Sequence, residues 1–270
     1  MENQFSLQDK VIVVTGATGV IGDAFINCIA QAGGVVGILG RNAVVAHERA
    51  EKIIDKGGKA VALIADVTDE QQLIDARDTM LAQYGKIDGL VNAAGGNRPG
   101  GIVQPGGDIF KLNMEGMKEV MDLNLYGTII PTQVFGPSLV ETRGSIVNIS
   151  SISSQQTLTK VMGYSLAKAA VDCYTRWFAV ELANRYGDAV RMNAIMPGFV
   201  LTEQNKTLLT NEDGSLTERG NLIVRNTPYR RFGTSGELAG ALVWLLSDAS
   251  RFVTGTIVTV DGGFTAFSGI

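Results

Sequence analysis

The 270-residue sequence contains one histidine, two cysteines and six prolines, and these scarcities exclude several classes of function. His47 stands among alanines and charged residues in a helical pattern, which predicts a solvated position and excludes Ser-His-Asp hydrolysis. A metal site built from histidine and cysteine is excluded by the count. Cys28 and Cys173 fall in apolar helical patterns, which predicts two buried free thiols, as a reducing cytoplasm allows.

The sequence also lacks long apolar runs and an excess of basic residues. No run approaches the roughly 20 residues of a membrane-spanning helix, and residues 1–10 have neither the basic flank nor the apolar stretch of a secretory signal. A net charge of −4 and a pI near 5.1 argue against attraction to nucleic acid or anionic membranes. We therefore expect a cytoplasmic protein whose partners are small molecules.

Short runs of valine and isoleucine alternate with amphipathic segments along the whole chain. This order predicts a single α/β domain with a doubly wound parallel sheet. The strands are predicted at residues 11–14, 35–39, 59–64, 87–91, 144–149, 190–195 and 256–260. The helices are predicted at about 20–32, 43–56, 68–84, 117–139, 162–186 and 235–246. A capping box at Thr68 would open the third of them. Residues 95–116 are predicted to form a loop, and the irregular polar segment at about 199–235 a substrate lid.

A glycine-rich turn follows the first predicted strand. Backbone amides and the positive end of the next helix can hold a pyrophosphate there, because glycines let the backbone approach the ligand closely. At the first crossover of a doubly wound sheet, this turn predicts nucleotide binding. The residues assigned to it are Gly16, Thr18, Gly19, Val20, Ile21 and Gly22.

Tyr164 and Lys168 are four residues apart on a predicted helix, and Ser150 and Ser151 lie upstream. Residues at this spacing project from one face, so the phenol and the ammonium can act on the same small volume. Lowering a tyrosine pKa from about 10 to about 7 takes roughly 4 kcal/mol. A lysine about 4 Å away supplies roughly that much, but desolvation of the phenolate opposes it. A second positive group, such as an oxidised nicotinamide ring, would therefore help.

These features resemble, in order and spacing, the short-chain dehydrogenase/reductase family, and the resemblance covers nearly the whole chain. Its other matching residues are Asp66, the segment from Asn92 to Gly95, Asn124, and Pro197 with Gly198. The resemblance implies a single-domain Rossmann-like doubly wound fold, with a seven-stranded parallel sheet and helices on both faces. It also implies a homotetramer. Two positions depart from the family pattern: Val20 replaces the middle glycine of the turn, and Ala93 replaces a second asparagine.

The resemblance implies a role for each catalytic residue. Tyr164 would be the general acid and base, and Ser151 would hydrogen-bond the substrate carbonyl or alcohol. Lys168 would bind the nicotinamide ribose and lower the pKa of the tyrosine, while Asn124 would hold a water in a proton relay. Ser151 is preferred because it precedes Tyr164 by thirteen residues, as the family's serine does, over three neighbours: Ser150, Ser153 and Ser154.

The end of the second strand bears on the choice of cofactor. An acidic residue there would accept from the ribose hydroxyls, but the sequence reads Leu39-Gly40-Arg41-Asn42. Arg41 could pair with a 2′-phosphate, which favours NADP(H) over NAD(H); alternatively it stacks on the adenine or caps the next helix. Asp66 is interpreted as a contact to the adenine edge. The remaining cofactor residues implied by the family are Asn42, Val67, Asn92, Ala93, Ala94, Gly95, Tyr164, Lys168, Pro197, Gly198, Val200 and Thr202.

Segments of the lid and the C-terminus are similar to one subgroup of the family, its D-mannonate oxidoreductases (fructuronate reductases). They are residues 199–205, 211–220, 226–228 and 260–266. The similarity implies a sugar-acid substrate, whose carboxylate would need a cation. Arg98, beside Asn97, is the first candidate, followed by Lys206 or Arg230, although each could be a solvated surface charge. The substrate residues are therefore predicted as Ser151, Ser153, Tyr164, Asn97 and Arg98.

Two alternatives remain. One is another substrate of the same family, such as gluconate, a polyol or a 3-oxoacyl group, although the polar lid speaks against an acyl chain or a steroid. The other is a cofactor-binding module without catalysis, which the fold alone cannot exclude. A module of that kind would have no use for Asn124, Ser151, Tyr164 and Lys168 together.

Overall fold

The computed structural model describes residues 3–104 and 106–269, without the side chains at positions 203, 204 and 207. Seven parallel strands form one sheet in the order β3-β2-β1-β4-β5-β6-β7. This confirms the predicted fold, and β1 and β4 are neighbours where the strand order reverses. The strands are β1 (Val11–Thr15), β2 (Val35–Gly40), β3 (Lys59–Ile64), β4 (Gly89–Asn92), β5 (Ser145–Ile149), β6 (Arg191–Pro197) and β7 (Ile257–Val260).

Helices cover both faces of the sheet. They are α1 (Val20–Gln31), α2 (Ala43–Asp55), α3 (Glu70–Tyr84), α4 (Met114–Met121), α5 (Gly127–Thr142), α6 (Met162–Tyr186), α7 (Glu203–Leu209), α8 (Glu218–Asn226) and α9 (Ala239–Leu246). Successive residues of a strand face opposite sides, so Ile12 packs in one core with α1, α2 and α9, while Val13 packs in another with α3, α5 and α6. The helices of the described residues include none that is both long and apolar enough to cross a lipid bilayer.

The helix predicted at 117–139 is instead two helices joined by a π turn. Asn113 accepts a hydrogen bond from the Gly116 amide at 3.1 Å, so α4 begins three residues earlier than predicted. The π turn, Asp122–Tyr126, leads into α5, which contains Pro131. Proline has no amide hydrogen and cannot continue the regular hydrogen-bond ladder. The prediction of one regular α-helix is wrong because the hydrogen-bond pattern changes at Asp122–Tyr126, and Asn124 lies at the centre of this π turn.

Three further local predictions are wrong. Asp69, not Thr68, caps α3, because its carboxylate accepts from the Gln72 amide at 3.1 Å while the Thr68 hydroxyl donates to Asp66. The segment at 199–235 is not irregular, since it contains α7 and α8. Cys173 is exposed on the outer face of α6, whereas Cys28 is partly buried and burial raises its pKa to about 12. His47 is exposed, as predicted.

Candidate active site

The glycine turn between β1 and α1 presents free amides at the carboxyl edge of the sheet. Gly16 has φ +64°, and a Cβ there would lie 2.7 Å from the Ala94 backbone. The amides of Val20, Ile21 and Gly22, in the first turn of α1, have no acceptor among the described residues. Amides at a helix N-terminus bind phosphate groups, so these residues fit the pyrophosphate of a dinucleotide.

Arg49 of α2 supports this turn from behind. Its guanidinium donates to the Ala17 carbonyl and, at 2.9 Å, to the Gly19 carbonyl. It also pairs with Asp23 at 3.1 Å. These bonds fix the turn's carbonyl oxygens on the side of α2. No local pattern in the sequence indicates this contact, because Arg49 is about 30 residues from its partners.

The loop after β4 is attached to the end of β1. The Thr15 hydroxyl accepts from the amides of Ala93 and Ala94 at 3.1 and 3.2 Å. Asn92 is buried, and its side-chain nitrogen donates to Asn148 of β5 at 2.9 Å and to Thr132 of α5 at 3.0 Å. The predicted cofactor residues Asn92, Ala93 and Ala94 are therefore brought against the glycine turn.

Ser151, Tyr164 and Lys168 meet near this edge of the sheet. Ser151 follows β5, and its hydroxyl accepts from the Ser153 amide at 3.2 Å. Tyr164 and Lys168 lie in the first two turns of α6, with the lysine Nζ 5.6 Å from the centre of the tyrosine ring. Lys168 is buried, and its ammonium donates to the Ile149 carbonyl at 2.7 Å. The arrangement joins a proton donor, a hydroxyl and a cation in one place.

Burial has the largest effect on the pKa values of Tyr164 and Lys168. It raises the pKa of Tyr164, and a hydrogen bond with Ser151 lowers it by less. Burial also lowers the pKa of Lys168 to about 8, against the opposing effect of the Asp172 charge. The lysine alone therefore does not bring the tyrosine pKa below its usual value in this structure. A second positive group at the site would act to lower the tyrosine pKa, as expected from the sequence.

Comparison with known proteins agrees with this geometry. The family model described as "Enoyl-(Acyl carrier protein) reductase" matches residues 16–265. An uncharacterized oxidoreductase, UxuB, of Bacillus subtilis (strain 168) is 40% identical over 275 residues, which cover 98% of each protein. The chain belongs to the short-chain dehydrogenase/reductase family.

Two solved structures of this family are similar over 98% of both chains. A proposed D-mannonate oxidoreductase from Haemophilus influenza, with bound NAD, is 37% identical with a TM-score of 0.90. A gluconate 5-dehydrogenase from Burkholderia cenocepacia J2315, in complex with NADP and tartrate, is 30% identical with a TM-score of 0.85. The protein is thus a short-chain NAD(P)-dependent dehydrogenase/reductase.

In this family member, Asn124 joins the π turn to the loop after β4. Its side-chain oxygen accepts from the Gly96 amide at 3.0 Å, and its nitrogen donates to the carbonyls of Gly96 and Val120 at 2.8 Å. A Cβ on Gly95 would lie 2.7 Å from Asn124 Oδ1 and 3.2 Å from Lys168 Nζ. Asn124 therefore fixes the loop beside the lysine, and its proposed water-holding role stays a prediction.

The predicted adenosine residues surround the ends of β2 and β3. Arg41 is exposed and lies 3.4 Å from the Asp66 carboxylate. Burial acts to raise the pKa of Asp66, but hydrogen bonds from Thr68 and the charge of Arg41 outweigh it and hold that pKa below its usual value. Asn42 accepts from the Val45 amide and so caps α2. Two other predicted cofactor residues lie nearby: Val67 is buried beside Gly127 of α5, and Thr18 of the glycine turn packs against Gly40.

The segment after β6 passes along the same edge and enters the lid. The Gly198 amide donates to the Val260 carbonyl at 2.9 Å, and a Cβ at Gly198 would lie 2.6 Å from Asp261 Cα. Val200 is buried, and its carbonyl accepts from Asn205, whose oxygen in turn accepts from the Thr202 amide at 2.8 Å. Pro197, the last residue of β6, is buried as well.

The predicted substrate residues differ in their environments. Ser153 is buried, and its hydroxyl has no partner among the described residues. Arg98 is partly buried, and its guanidinium makes no hydrogen bond or ion pair within the described residues, while its amide donates to Asn97 Oδ1 at 3.0 Å. Arg230 is exposed and donates to the Arg225 carbonyl, and Lys206 lies exposed on α7.

The part of the protein that the structure describes contains no cluster of three or more His, Cys, Asp or Glu that could hold a metal.

Proposed function

We propose that the protein interconverts the keto group and the secondary hydroxyl group of a sugar acid of the D-fructuronate/D-mannonate type, with NADP(H) favoured over NAD(H). The observation that carries the substrate class is the Arg98 guanidinium, which has no protein partner among the described residues and stands two residues after the glycine held by Asn124. A buried or half-buried cation without a protein partner suits a substrate carboxylate. The similarity to a proposed D-mannonate oxidoreductase and to a gluconate 5-dehydrogenase crystallised with tartrate supports the same class.

Each side chain of the site has its own part in the chemistry. The Ser151 hydroxyl donates to the substrate oxygen, and Tyr164 gives that oxygen its proton in reduction or removes it in oxidation. Lys168 keeps a positive charge beside the phenol, which favours the phenolate left after proton transfer. A nicotinamide cofactor held at this site would supply or accept the hydride at the substrate carbon. Val20, Ile21 and Gly22 would hold its pyrophosphate through their amides.

The substrate can be tested by following NADPH or NADH oxidation with purified protein. D-fructuronate, 5-ketogluconate, an acetoacetyl thioester and a steroid ketone would be compared by kcat/KM. We expect the keto acids to exceed the other two by about tenfold or more, since a hydrogen bond to a charged group contributes about 1.5–3 kcal/mol. Preference for the thioester or the steroid would contradict the sugar-acid proposal without contradicting the dehydrogenase chemistry.

Replacing Arg98 with methionine is expected to raise KM for the keto acid about 10- to 100-fold, because the substrate carboxylate loses a charged donor. The turnover number should change little, since the guanidinium is not proposed to contact the reacting carbon. Initial-rate kinetics would measure both. Lys111→Met is the matched control, because Lys111 is an exposed cation of the same loop whose 3.8 Å pair with Asp108 is weak. Equal KM values for Arg98→Met and wild type would remove Arg98 from the site.

Cofactor preference depends on Arg41 in this proposal. No acidic residue stands at the end of β2, and a 2′-phosphate could replace Asp66 as the partner of Arg41. Arg41→Ala is therefore expected to raise KM for NADPH about tenfold or more and to leave KM for NADH within about threefold. Arg185→Ala, which removes an exposed arginine from the far end of α6, controls for net charge. An equal effect on both cofactors would show that Arg41 does not read the phosphate.

We also propose a homotetramer in which α6 lies at a subunit contact. Leu166, Cys173, Trp177 and Val180 are exposed on α6, and Trp177 has 61% of its surface accessible. Apolar side chains at this spacing form one stripe along a helix, and exposed stripes of this kind often mark interfaces. Light scattering coupled to gel filtration would measure the mass. A monomer at all concentrations would contradict the proposal.

A further inference from the structure

Asp172 is a buried carboxylate of α6 with no part in the chemistry described so far. Only 4% of its surface is accessible. A carboxylate is costly to bury unless both oxygens are hydrogen-bonded. Here the Ser150 hydroxyl donates to Oδ1 and the Ser154 hydroxyl donates to Oδ2 at 2.7 Å. The charge is therefore held in place by two hydroxyl groups from one loop.

Those two serines stand at the two ends of the loop that carries Ser151. Ser150 follows β5 directly and its amide donates to the Ile195 carbonyl of β6 at 2.8 Å. Ser154 is the last residue of the short 3₁₀ turn Ile152–Ser154. Asp172 lies between them in space and belongs to the helix of Tyr164. It thus attaches the serine loop to the tyrosine helix at two points, so the position of the Ser151 hydroxyl relative to the phenol depends on it.

The same carboxylate stands one helical turn after Lys168. Residues at i and i+4 share a face of a helix, so its negative charge acts on the lysine ammonium. The titratable and charged groups that act on Lys168 in the described structure are Asp172 and Tyr164, and its ammonium also donates to the Ile149 carbonyl. Burial disfavours the ammonium and Asp172 favours it. A lysine that loses its proton can no longer favour the phenolate.

We propose that Asp172 is a positioning residue for the dehydrogenase reaction, which holds the Ser151 loop against α6 and keeps Lys168 protonated. The inference rests on the dehydrogenase chemistry of this site and does not depend on the sugar-acid substrate. It assigns Ser150 and Ser154 the task of orienting the carboxylate. Neither serine need contact the substrate.

The test is the protonation of Lys168 in the protein without added ligands. NMR of ¹³C-labelled lysine side chains would follow the Lys168 resonance with pH, with Lys168→Arg providing the assignment. In Asp172→Asn the lysine pKa is expected to fall by about one unit or more, because an opposite charge one helical turn away is lost. Ser154→Ala keeps the carboxylate and should leave the lysine pKa where it is in the wild type. Glu181→Gln, about 20 Å from Lys168 along the same helix, should also leave the lysine pKa unchanged.

A second readout is the pH profile of kcat with any ketone that the enzyme reduces. Activity that needs the ammonium is lost as pH rises through the lysine pKa, so the alkaline limb should move to lower pH in Asp172→Asn. In Ser154→Ala we expect a lower kcat with the limb unmoved, since only the loop is loosened. An unchanged lysine pKa in Asp172→Asn would overturn the proposal that Asp172 keeps Lys168 protonated. A wild-type kcat in Ser154→Ala would overturn the proposal that Asp172 positions the Ser151 loop. Should Asp172→Asn not fold, Asp172→Ser supplies the neutral variant. Ser154→Ala tests the loop in either case.

Discussion

Tyr164→Phe is expected to lower kcat by about 100- to 10,000-fold while the protein still binds its cofactor. General acid–base catalysis contributes a factor of this size, and phenylalanine keeps the ring but removes the only proton it could exchange. Burial raises the pKa of Tyr164, so the phenol is protonated at neutral pH and is ready to donate to a developing alkoxide. Without it, charge on the substrate oxygen has no positioned acid to neutralise it.

The measurement combines steady-state turnover with a cofactor dissociation constant from fluorescence titration. The dissociation constant should stay within about threefold of the wild type, because the ring and Lys168 remain in place. Tyr186→Phe is the matched control, since it makes the same substitution at an exposed position of the same helix. Near-normal turnover in Tyr164→Phe, with any substrate that the wild type uses, would show that the proton comes from another group.

The catalytic pair and the glycine turn could be predicted because each is a short segment. Tyr164 and Lys168 are four residues apart, and the turn joins two elements whose patterns are clear in the sequence. The strands were also predictable, since β1, β2 and β4 are short apolar runs that the sheet buries on both faces, and the other strands keep enough apolar residues to stand out from the helices between them. The single sheet of seven parallel strands was implied by the family resemblance and is confirmed by the structure.

The residues that support the site could not be predicted, because their contacts join segments that are far apart in the sequence. Arg49 reaches the carbonyls of a turn about 30 residues away, and Ser150 and Ser154 meet Asp172 across 22 and 18 residues. No periodicity indicates such pairs, because they depend on how a loop and a helix dock. The lid helices were missed for a local reason. Their caps, such as Thr217 bonded to the Gly220 amide at 3.1 Å, lie in a segment whose composition suggested irregular structure.

Gly22→Ala is expected to weaken cofactor binding by about 100-fold or more. A Cβ on residue 22 would overlap the Gly16 carbonyl oxygen and lie 2.7 Å from Ala17 Cα. Both are backbone atoms, so the turn itself must shift. Because Val20, Ile21 and Gly22 present the free amides, the shift displaces the donors that would hold the pyrophosphate. A hydrogen bond to a charged group contributes about 1.5–3 kcal/mol, so the loss of two accounts for a factor of about 100 or more.

Isothermal titration of NADPH and NADH into the variant would measure this effect. Gly136→Ala is the matched control, because residue 136 is also helical and a Cβ there meets no atom within 4 Å. That control should bind cofactor normally and be slightly more stable, as alanine favours a helix over glycine by about 1 kcal/mol. Circular dichroism would show whether Gly22→Ala remains folded. A folded Gly22→Ala protein with wild-type affinity would mean that the turn tolerates a side chain and that the amides at the start of α1 do not determine binding. Weaker binding in Gly22→Ala but not in Gly136→Ala would show that residue 22 must lack a Cβ for the three amides to keep their positions.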